Sequence, residues 1–432
     1  MKLIISTFTA LLFSGAFLSA QMPGMVTMQQ SSASQGTTLG ANTTSGAAGI
    51  ALGNRVVMRG FVDFRYDNTD LEVGNNHDKR FRTGADVDFL FDFSPVTSEV
   101  HFNADQDGVN LEQAVIRYSF NRDFNFSYGR QVSVLGYESD EAPNLRQVSH
   151  AYLADVAIED LAAGAGGRDA MNSFLGVGKL NSIKDSLTTA QTTAINTAGG
   201  ATATALLGAV RPATFNGVPQ LRRNYVDGIR ANFNNGKFGL SLGLHNGLFE
   251  SDHLNDSQIG IDIAASLMIV PGLEWRMGYA YENNDGWDTS IANYNTDAAA
   301  LNTLISYQAL PIIPNADKIS QFNTNLSYQT GGLTLAFEYD MWDIYIVEMW
   351  NIMLMGNYQF NNVFGLTLRY SHEDFDDELG GKGDTNRFTI APSFAITENL
   401  KILFEYSHSS IESTSTKETS VDEVYAQTLF NF

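Results

Sequence analysis

Hydrophobic and polar residues alternate with a period of two along most of the chain, from Arg55 to Phe432. In Arg80–Phe93, for example, every second position is mostly apolar, while the positions between them include Asp86 and Asp88. Successive side chains of a β-strand point to opposite faces of a sheet. The alternation therefore predicts strands that have one apolar face and one polar face.

The pattern predicts sixteen strands, most of them ten to fourteen residues long. They are Arg55–Tyr66, Arg80–Phe93, Ser98–Ala104, Leu111–Phe120, Phe124–Gln131, Tyr225–Phe233, Lys237–Asn246, Gln258–Ile269, Gly272–Glu282, Ile319–Gln329, Leu333–Trp342, Val347–Phe360, Val363–Glu373, Thr385–Ile396, Leu400–Ser409 and Val421–Phe432. Strands in soluble proteins average about five or six residues, whereas a tilted strand that crosses a bilayer needs about nine to eleven. The lengths favour membrane-spanning strands over a soluble sandwich or propeller.

Short and long connections alternate between the predicted strands. Ser94–Thr97, Asn121–Asp123 and Asn361–Asn362 are tight turns, and most of the connections between such turns are longer and acidic. Short turns on one side and long loops on the other are typical of membrane barrels. We therefore predict an all-β fold over residues 55–432, a transmembrane antiparallel up-and-down β-barrel of about 16 strands. Aromatic residues near strand ends, such as Tyr281 and Trp342, predict girdles at the membrane interfaces.

The chain before the barrel has two parts. Residues 1–20 combine a basic start, a short apolar core and a small final residue, which predicts a secretory signal peptide cleaved before Gln21. A buried N-terminal helix or strand is the alternative. Residues 21–54 are rich in Ser, Thr, Gly, Ala and Met and carry no charge, so a loosely ordered periplasmic tail is expected there.

Composition narrows the range of functions. The chain has no cysteine, which excludes disulfides, thiol catalysis and cysteine-bound metal. Its formal net charge of −22 makes nucleic acid an unfavourable partner and cations a favourable one. Its seven histidines are scattered without metal-binding or catalytic spacing, so the sequence predicts no metal site, no cofactor and no enzymatic activity.

The longest connection spans residues 132–224 and is the third loop on the long-loop side. Sixteen strands, an oversized third loop and a terminal Phe resemble the Gram-negative outer-membrane porins, in which this loop folds into the pore and narrows it. The motifs GRQ at 129–131, LGYE at 135–138, DGIR at 227–230 and NG at 246–247 resemble the OmpL-like family of β-barrel porins. The Ala/Gly/Thr-rich part of the loop at 164–217 departs from this pattern, so it could enter the pore or project outward.

The resemblance implies a location, partners and one assembly residue. It implies the bacterial outer membrane, contact with lipid and lipopolysaccharide, a homotrimer, and folding by the barrel-assembly machinery. It also implies that Phe432 is part of the signal read during assembly.

The alternation assigns charged residues to the lumen. The candidates for the pore wall are Arg59, Asp63, Arg65, Arg82, Asp86, Asp88, Arg117, Arg230, Arg276, Arg369 and Arg387. The third loop adds the constriction candidates Glu138, Asp140 and Glu141. We hypothesise that loop carboxylates face wall arginines across the pore and create a transverse field. For any single residue, simple pairing or hydration in the wall is the alternative.

These features predict a porin for passive diffusion of ions and small hydrophilic solutes. The alternation also assigns further acids to the lumen, so that eleven acids outnumber the eight arginines and weak cation selectivity is expected; the acids are Asp63, Asp86, Asp88, Asp92, Asp262, Glu274, Glu282, Glu338, Asp340, Glu373 and Glu405. Two alternatives remain, namely a barrel that anchors a surface adhesin or structural protein, and a channel selective for one class of substrate.

Overall fold

The computed structural model describes most of the predicted barrel and parts of its loops. The described residues are 50–71, 76–105, 108–139, 142–152, 225–246, 259–283, 285–305, 312, 318–344, 347–377, 382–413 and 416–432, with the single positions 193, 197, 205 and 209. The predicted signal peptide, positions 21–49 of the predicted tail and most of the third loop lie outside them.

The described residues form seventeen strands. They are β1 (Ile50–Ala51), β2 (Val56–Leu71), β3 (Asn76–Phe93), β4 (Val96–Ala104), β5 (Val109–Ser119), β6 (Phe124–Val132), β7 (Tyr225–Asn234), β8 (Phe238–His245), β9 (Gly260–Val270), β10 (Leu273–Asn283), β11 (Lys318–Thr330), β12 (Leu333–Ile344), β13 (Val347–Gln359), β14 (Phe364–Asp377), β15 (Lys382–Ala395), β16 (Leu400–Ser413) and β17 (Thr416–Asn431).

The sheet closes on itself. Each strand from β2 to β16 pairs antiparallel with the next strand in the chain, and β17 pairs with β2. The closing register runs from Val421 opposite Leu71 to Asn431 opposite Phe61. The strands β2–β17 therefore form a closed up-and-down barrel of 16 strands, which confirms the predicted fold. The short strand β1 pairs with the first residues of β2.

The barrel is apolar outside and polar inside. In β15 the side chains of Arg387 and Thr389 are 1% and 0% exposed, whereas Phe388 and Ile390 between them are 48% and 36% exposed. The same alternation recurs along the other strands, with large apolar residues exposed and charged residues buried. An exposed apolar band around a polar interior is the arrangement that lipid requires on the outside and water on the inside.

Several strands extend further toward the long-loop side than predicted. β2 continues to Leu71 rather than ending at Tyr66, and β14 continues to Asp377 rather than Glu373. The added ends are mostly polar, with Leu71 and Phe375 as the exceptions, so they do not show a sustained apolar face. Pairing nevertheless continues up to Val347 opposite Asp377.

Trp342 is placed differently from the prediction. Its side chain is 3% exposed and lies on the lumen face of β12, the face that also carries Asp340. It therefore does not belong to a lipid-facing girdle. Tyr281 lies on the opposite face of its own strand from the buried Glu282, which agrees with the prediction.

One long helix lies between β10 and β11. The helix α1 (Asp285–Ile305) buries Tyr294, Ala298 and Leu301, which are spaced four and three residues apart and so share one face. The sequence pattern had indicated only a long loop here. Within the described ranges, no helix is long and apolar enough to cross a membrane.

Candidate functional site

The first part of the third loop lies inside the barrel. The described positions 133–139 and 142–152, called the loop segment below, include a short 3-10 helix at Ala142–Asn144. The loop segment forms hydrogen bonds with side chains on the lumen faces of β12, β14, β15 and β16. These contacts place it against one side of the inner wall, where it narrows the lumen.

Arg369 on β14 is the main anchor of the loop segment. Its Nη1 lies 2.8 Å from Glu138 Oε1 and 2.7 Å from the carbonyl oxygen of Ser149. Its Nη2 donates to the carbonyl oxygen of His150 at 2.7 Å and to Ser149 Oγ at 3.0 Å. Since the Arg369 side chain is 0% exposed, this charge depends on the loop for its partners.

Glu405 on β16 holds the same part of the loop from the neighbouring wall. Its carboxylate accepts hydrogen bonds from the backbone N–H groups of Val148 at 2.5 Å and Ser149 at 3.0 Å. The Ser149 hydroxyl also donates to Glu405. Arg387 on β15 donates to Ser149 Oγ at 2.9 Å and pairs with Glu423 at 2.5 Å. Ser149 is thus held by three wall side chains.

Glu138 also organises the loop segment internally. Its Oε2 accepts the Ala151 N–H at 2.6 Å, and its Oε1 accepts the Gln147 side-chain amide at 2.6 Å. One carboxylate therefore joins both ends of the loop segment and links them to Arg369. These bonds to a charged acceptor are the strong class of hydrogen bond.

Apolar contacts complete the attachment. Ala151 and Tyr152 pack with Met353 and Met355 of β13, and the partly buried Tyr137 packs against this cluster. Burial raises the pKa of the Tyr137 hydroxyl to about 12, so the side chain is neutral at physiological pH. A second small cluster joins loop residue Val148 to Leu403 and Tyr425 of the wall.

The Tyr137 backbone reaches an acidic part of the wall. Its N–H donates to Glu338 Oε1 at 2.5 Å. Glu338 and Asp340 lie on the lumen face of β12 and both accept hydrogen bonds from the Asn323 amide, at 2.9 and 2.7 Å. The loop segment is therefore bounded by arginines on β14 and β15 and by carboxylates on β12.

The structure places all the predicted wall residues on the lumen face, but not as a row of unpaired charges. Most of the arginines contact a carboxylate: Arg65 and Arg82 contact Asp67 at 2.7 and 2.8 Å, Arg117 contacts Glu99 at 3.0 Å, Arg230 contacts Asp262 at 3.0 Å, and Arg276 contacts Glu274 at 3.0 Å. Asp63 lies beside Arg65, and Asp88 accepts from His101 at 2.9 Å. Asp86 is close to Asp88, and Arg59 stands directly opposite Asp88 in the register.

We hypothesised that loop carboxylates face wall arginines across the pore, but Glu138 is not placed in this way. Its carboxylate touches Arg369 directly, so the pair fastens the loop and largely cancels its own field. The other two loop candidates, Asp140 and Glu141, lie outside the described residues.

Several functional residues were missed from the sequence. Asp67, Glu99 and Glu423 are the partners of four wall arginines. Among the described loop residues, Ser149 bonds to three wall side chains. Asp67 follows the last apolar position that defined the first predicted strand, so extending the alternation by one residue would have found it. Ser149 gives no sequence signal, because its role depends on the fold of the loop.

Phe432 lies at the barrel seam between β17 and β2. Phe432 and Gly60 exchange two backbone hydrogen bonds, of 3.0 and 2.9 Å. A Cβ atom added to Gly60 would lie 2.8 Å from the Phe432 ring and 2.2 Å from the Asp86 carbonyl oxygen. The missing side chain of Gly60 therefore makes room for the terminal ring.

Comparison with solved structures identifies the same architecture elsewhere. OmpF of Salmonella typhi, in complex with daunomycin, aligns with a TM-score of 0.52 and 11% identity over 88% of this chain and 98% of that one. The outer-membrane channel DcaP of Acinetobacter baumannii aligns with a TM-score of 0.51 and 10% identity over 89% and 100%. No protein-family model matches the sequence, and a comparison with curated proteins finds no significant match.

Fold and site together define a class. A closed 16-strand barrel with an apolar exterior and a charged interior is a membrane-spanning β-barrel, and its fold is that of the porins. At 10–11% identity the structural likeness shows the fold alone.

Proposed function

We propose that this protein is a porin, a water-filled channel for passive diffusion of ions and small hydrophilic solutes. The observation that carries the proposal is the charged and polar inner face of a closed 16-strand barrel. Barrels of about sixteen to eighteen strands are wide enough to leave an aqueous channel. The loop segment then acts as the constriction, because it is attached to the inner wall by Arg369 and Glu405.

We further propose weak cation selectivity. Carboxylates on the lumen face outnumber arginines, and low-dielectric walls strengthen the effect of an excess charge on passing ions. The purified barrel, reconstituted in a planar bilayer under a salt gradient, is expected to conduct and to show a reversal potential of the sign given by cation preference. A barrel that inserts without conducting contradicts the porin proposal, and anion preference contradicts only the selectivity.

A substrate-selective channel is the second candidate. The firmly attached loop segment favours it, since a fixed constriction discriminates between solutes better than a loose one. Liposome swelling with sugars, amino acids and dicarboxylates of graded size separates the two candidates. Swelling rates that fall smoothly as solute size rises support the general porin. A solute class that enters faster than other solutes of its size supports the selective channel.

We also propose an oligomeric state and a membrane environment for this channel. The porin fold favours a homotrimer in contact with lipid and lipopolysaccharide, inserted by the barrel-assembly machinery. The motifs at 129–131, 135–138 and 227–230 favour the OmpL-like family among porins. Mass measurement by light scattering in mild detergent is expected to give three copies, and a single copy would contradict the trimer.

A further inference from the structure

Two carboxylates lie together beneath the loop segment. Glu338 and Asp340 share the lumen face of β12, and one amide nitrogen, Asn323 Nδ2, donates to both, at 2.9 and 2.7 Å. Gln321 also donates to Asp340, at 3.1 Å, and the Tyr137 N–H of the loop segment donates to Glu338, at 2.5 Å. Both acidic residues are only 3% exposed, so two carboxylates are held side by side away from bulk water.

No positive side chain balances this pair. Among the described residues, no Lys, Arg or His nitrogen lies within 4.0 Å of either carboxylate. By contrast, the buried Glu423 pairs with Arg387, and the buried Asp262 pairs with Arg230. Amide donors stabilise a carboxylate but leave its charge in place, and like charges repel each other more strongly where water is scarce. The pair therefore lacks a counter-charge.

A third polar group beside the pair is left without a hydrogen bond. Asn351 of β13 stands directly opposite Asp340 in the register, and Glu373 of β14 stands opposite Asn351 on its other side. Such neighbours have Cβ atoms about 4.5–5.5 Å apart. The Asn351 side chain is 0% exposed, yet neither its amide oxygen nor its amide nitrogen has a hydrogen-bond partner within the described ranges. An unsatisfied buried amide is costly, so this one points to a ligand that binds oxygen atoms.

The loop segment covers this part of the wall. Tyr152 packs in one cluster with Ala336 of β12 and with Met353, the residue that stands opposite Glu338. The Tyr152 hydroxyl is buried and also has no hydrogen-bond partner in the part of the chain that the structure describes. A covered position of this kind suits a small ion better than a solute in transit.

We propose that Glu338, Asp340 and the amide oxygen of Asn351 bind a hard divalent cation of the calcium class. Calcium prefers carboxylate and amide oxygens in flexible arrangements and completes its shell with water. No three Asp, Glu or His side chains of the described residues are grouped as a metal site, so the ion takes two carboxylates, the amide and water. It supplies both the missing counter-charge and the missing partner of Asn351. The proposal does not depend on which solutes the channel passes.

The test uses the full-length protein, refolded in detergent without lipopolysaccharide and freed of metal with a chelator. The probe is terbium, which replaces calcium at oxygen sites and emits light when a nearby tryptophan is excited. Trp342 lies two positions from Asp340 on the same face of β12, roughly 7 Å away along the strand. We expect saturable terbium emission that calcium displaces and that Trp342→Phe removes. Calorimetry is expected to show that Trp342→Phe still binds calcium like the wild type.

Two further variants each remove one ligand at nearly constant side-chain volume. Asp340→Asn and Asn351→Leu are each expected to weaken terbium and calcium binding roughly tenfold or more, since calcium affinity follows the charge and number of the ligands. The matched control is Glu274→Gln, which removes a buried lumen carboxylate that already pairs with Arg276 at 3.0 Å. Its affinity for both ions is expected to equal that of the wild type.

Two results overturn the cation site. The first is wild-type protein without calcium-displaced emission up to about 1 mM, the weak end of extracellular calcium sites. The second is wild-type affinity in Asp340→Asn and Asn351→Leu, because terbium then occupies carboxylates elsewhere on the barrel. Heat-modifiable migration on gels confirms that each variant is folded. Conductance of the wild type is recorded separately, so a failure of metal binding leaves the proposed channel intact.

Discussion

Arg369 is the single residue on which the position of the loop segment depends most. It contacts Glu138, Ser149 and His150 from a fully buried position in the wall. Replacing it by Gln leaves the Glu138 carboxylate without its partner, and breaking a buried ion pair costs about 3–5 kcal/mol. We expect Arg369→Gln to release the loop segment and to increase single-channel conductance and current noise.

The control for this prediction is Arg117→Gln. Arg117 pairs with Glu99 on the neighbouring strand at 3.0 Å, and no described hydrogen bond joins it to the loop segment. The variant therefore loses an equivalent wall ion pair with the constriction in place, and its conductance is expected to change little. If Arg369→Gln conducts like the wild type, the loop segment is not held by this ion pair.

At the scale of strands, the sequence predicted the positions of the strands more accurately than their ends. Alternation is strong where one face meets lipid, as in Arg387–Ile390, so all sixteen barrel strands could be found. Beyond the bilayer both faces meet water, and the extension of β2 to Leu71 is polar at every position before its last, so it shows no alternation. The helix Asp285–Ile305 was missed because its buried stripe of Tyr294, Ala298 and Leu301 is short and contains a small residue.

The candidate site was predictable only in part, for a related reason. Alternation assigns a side chain to the lumen, but it cannot say which charges pair, because many partners come from different strands. Arg387 and Glu423 are 36 positions apart in sequence and 2.5 Å apart in space. The contacts of Ser149 require the loop to enter the barrel, which no local pattern encodes.

The seam between β17 and β2 gives a prediction at the scale of two strands. Deleting Phe432 removes the two backbone hydrogen bonds to Gly60 and the ring above it. We expect a lower yield of folded, heat-modifiable barrel in the outer membrane, while the molecules that do fold conduct normally. Phe430→Ala is the control, because this residue is also aromatic and faces outward on the same strand but does not end it. Normal insertion of the truncated chain would argue against an assembly role for Phe432.

At the scale of the whole molecule, a closed barrel of 16 strands holds one loop, the third, against its inner wall. Most of the described contacts that fasten this loop to the wall lie within residues 137–152, with Leu135 against Gly278 of β10 as a further one. The anchors Arg369, Arg387 and Glu405 belong to three consecutive strands. The described attachment of this loop therefore lies in one loop segment and one sector of the barrel. None of the contacts named here involves the Ala/Gly/Thr-rich part at 164–217.

This separation predicts the result of a large deletion. Removing residues 164–217 and joining the ends with a short Gly/Ser linker keeps all of these anchors, and surface loops tolerate changes in length at small entropic cost. We expect the shortened barrel to conduct within about twofold of the wild type, a much smaller change than Arg369→Gln produces. Adding Arg369→Gln to the deletion should then raise conductance as it does in the full-length chain, because the loop segment is the part that narrows the pore. If the deletion alone opens the pore as widely as Arg369→Gln, the constriction lies in the deleted residues and the loop segment serves only to attach them.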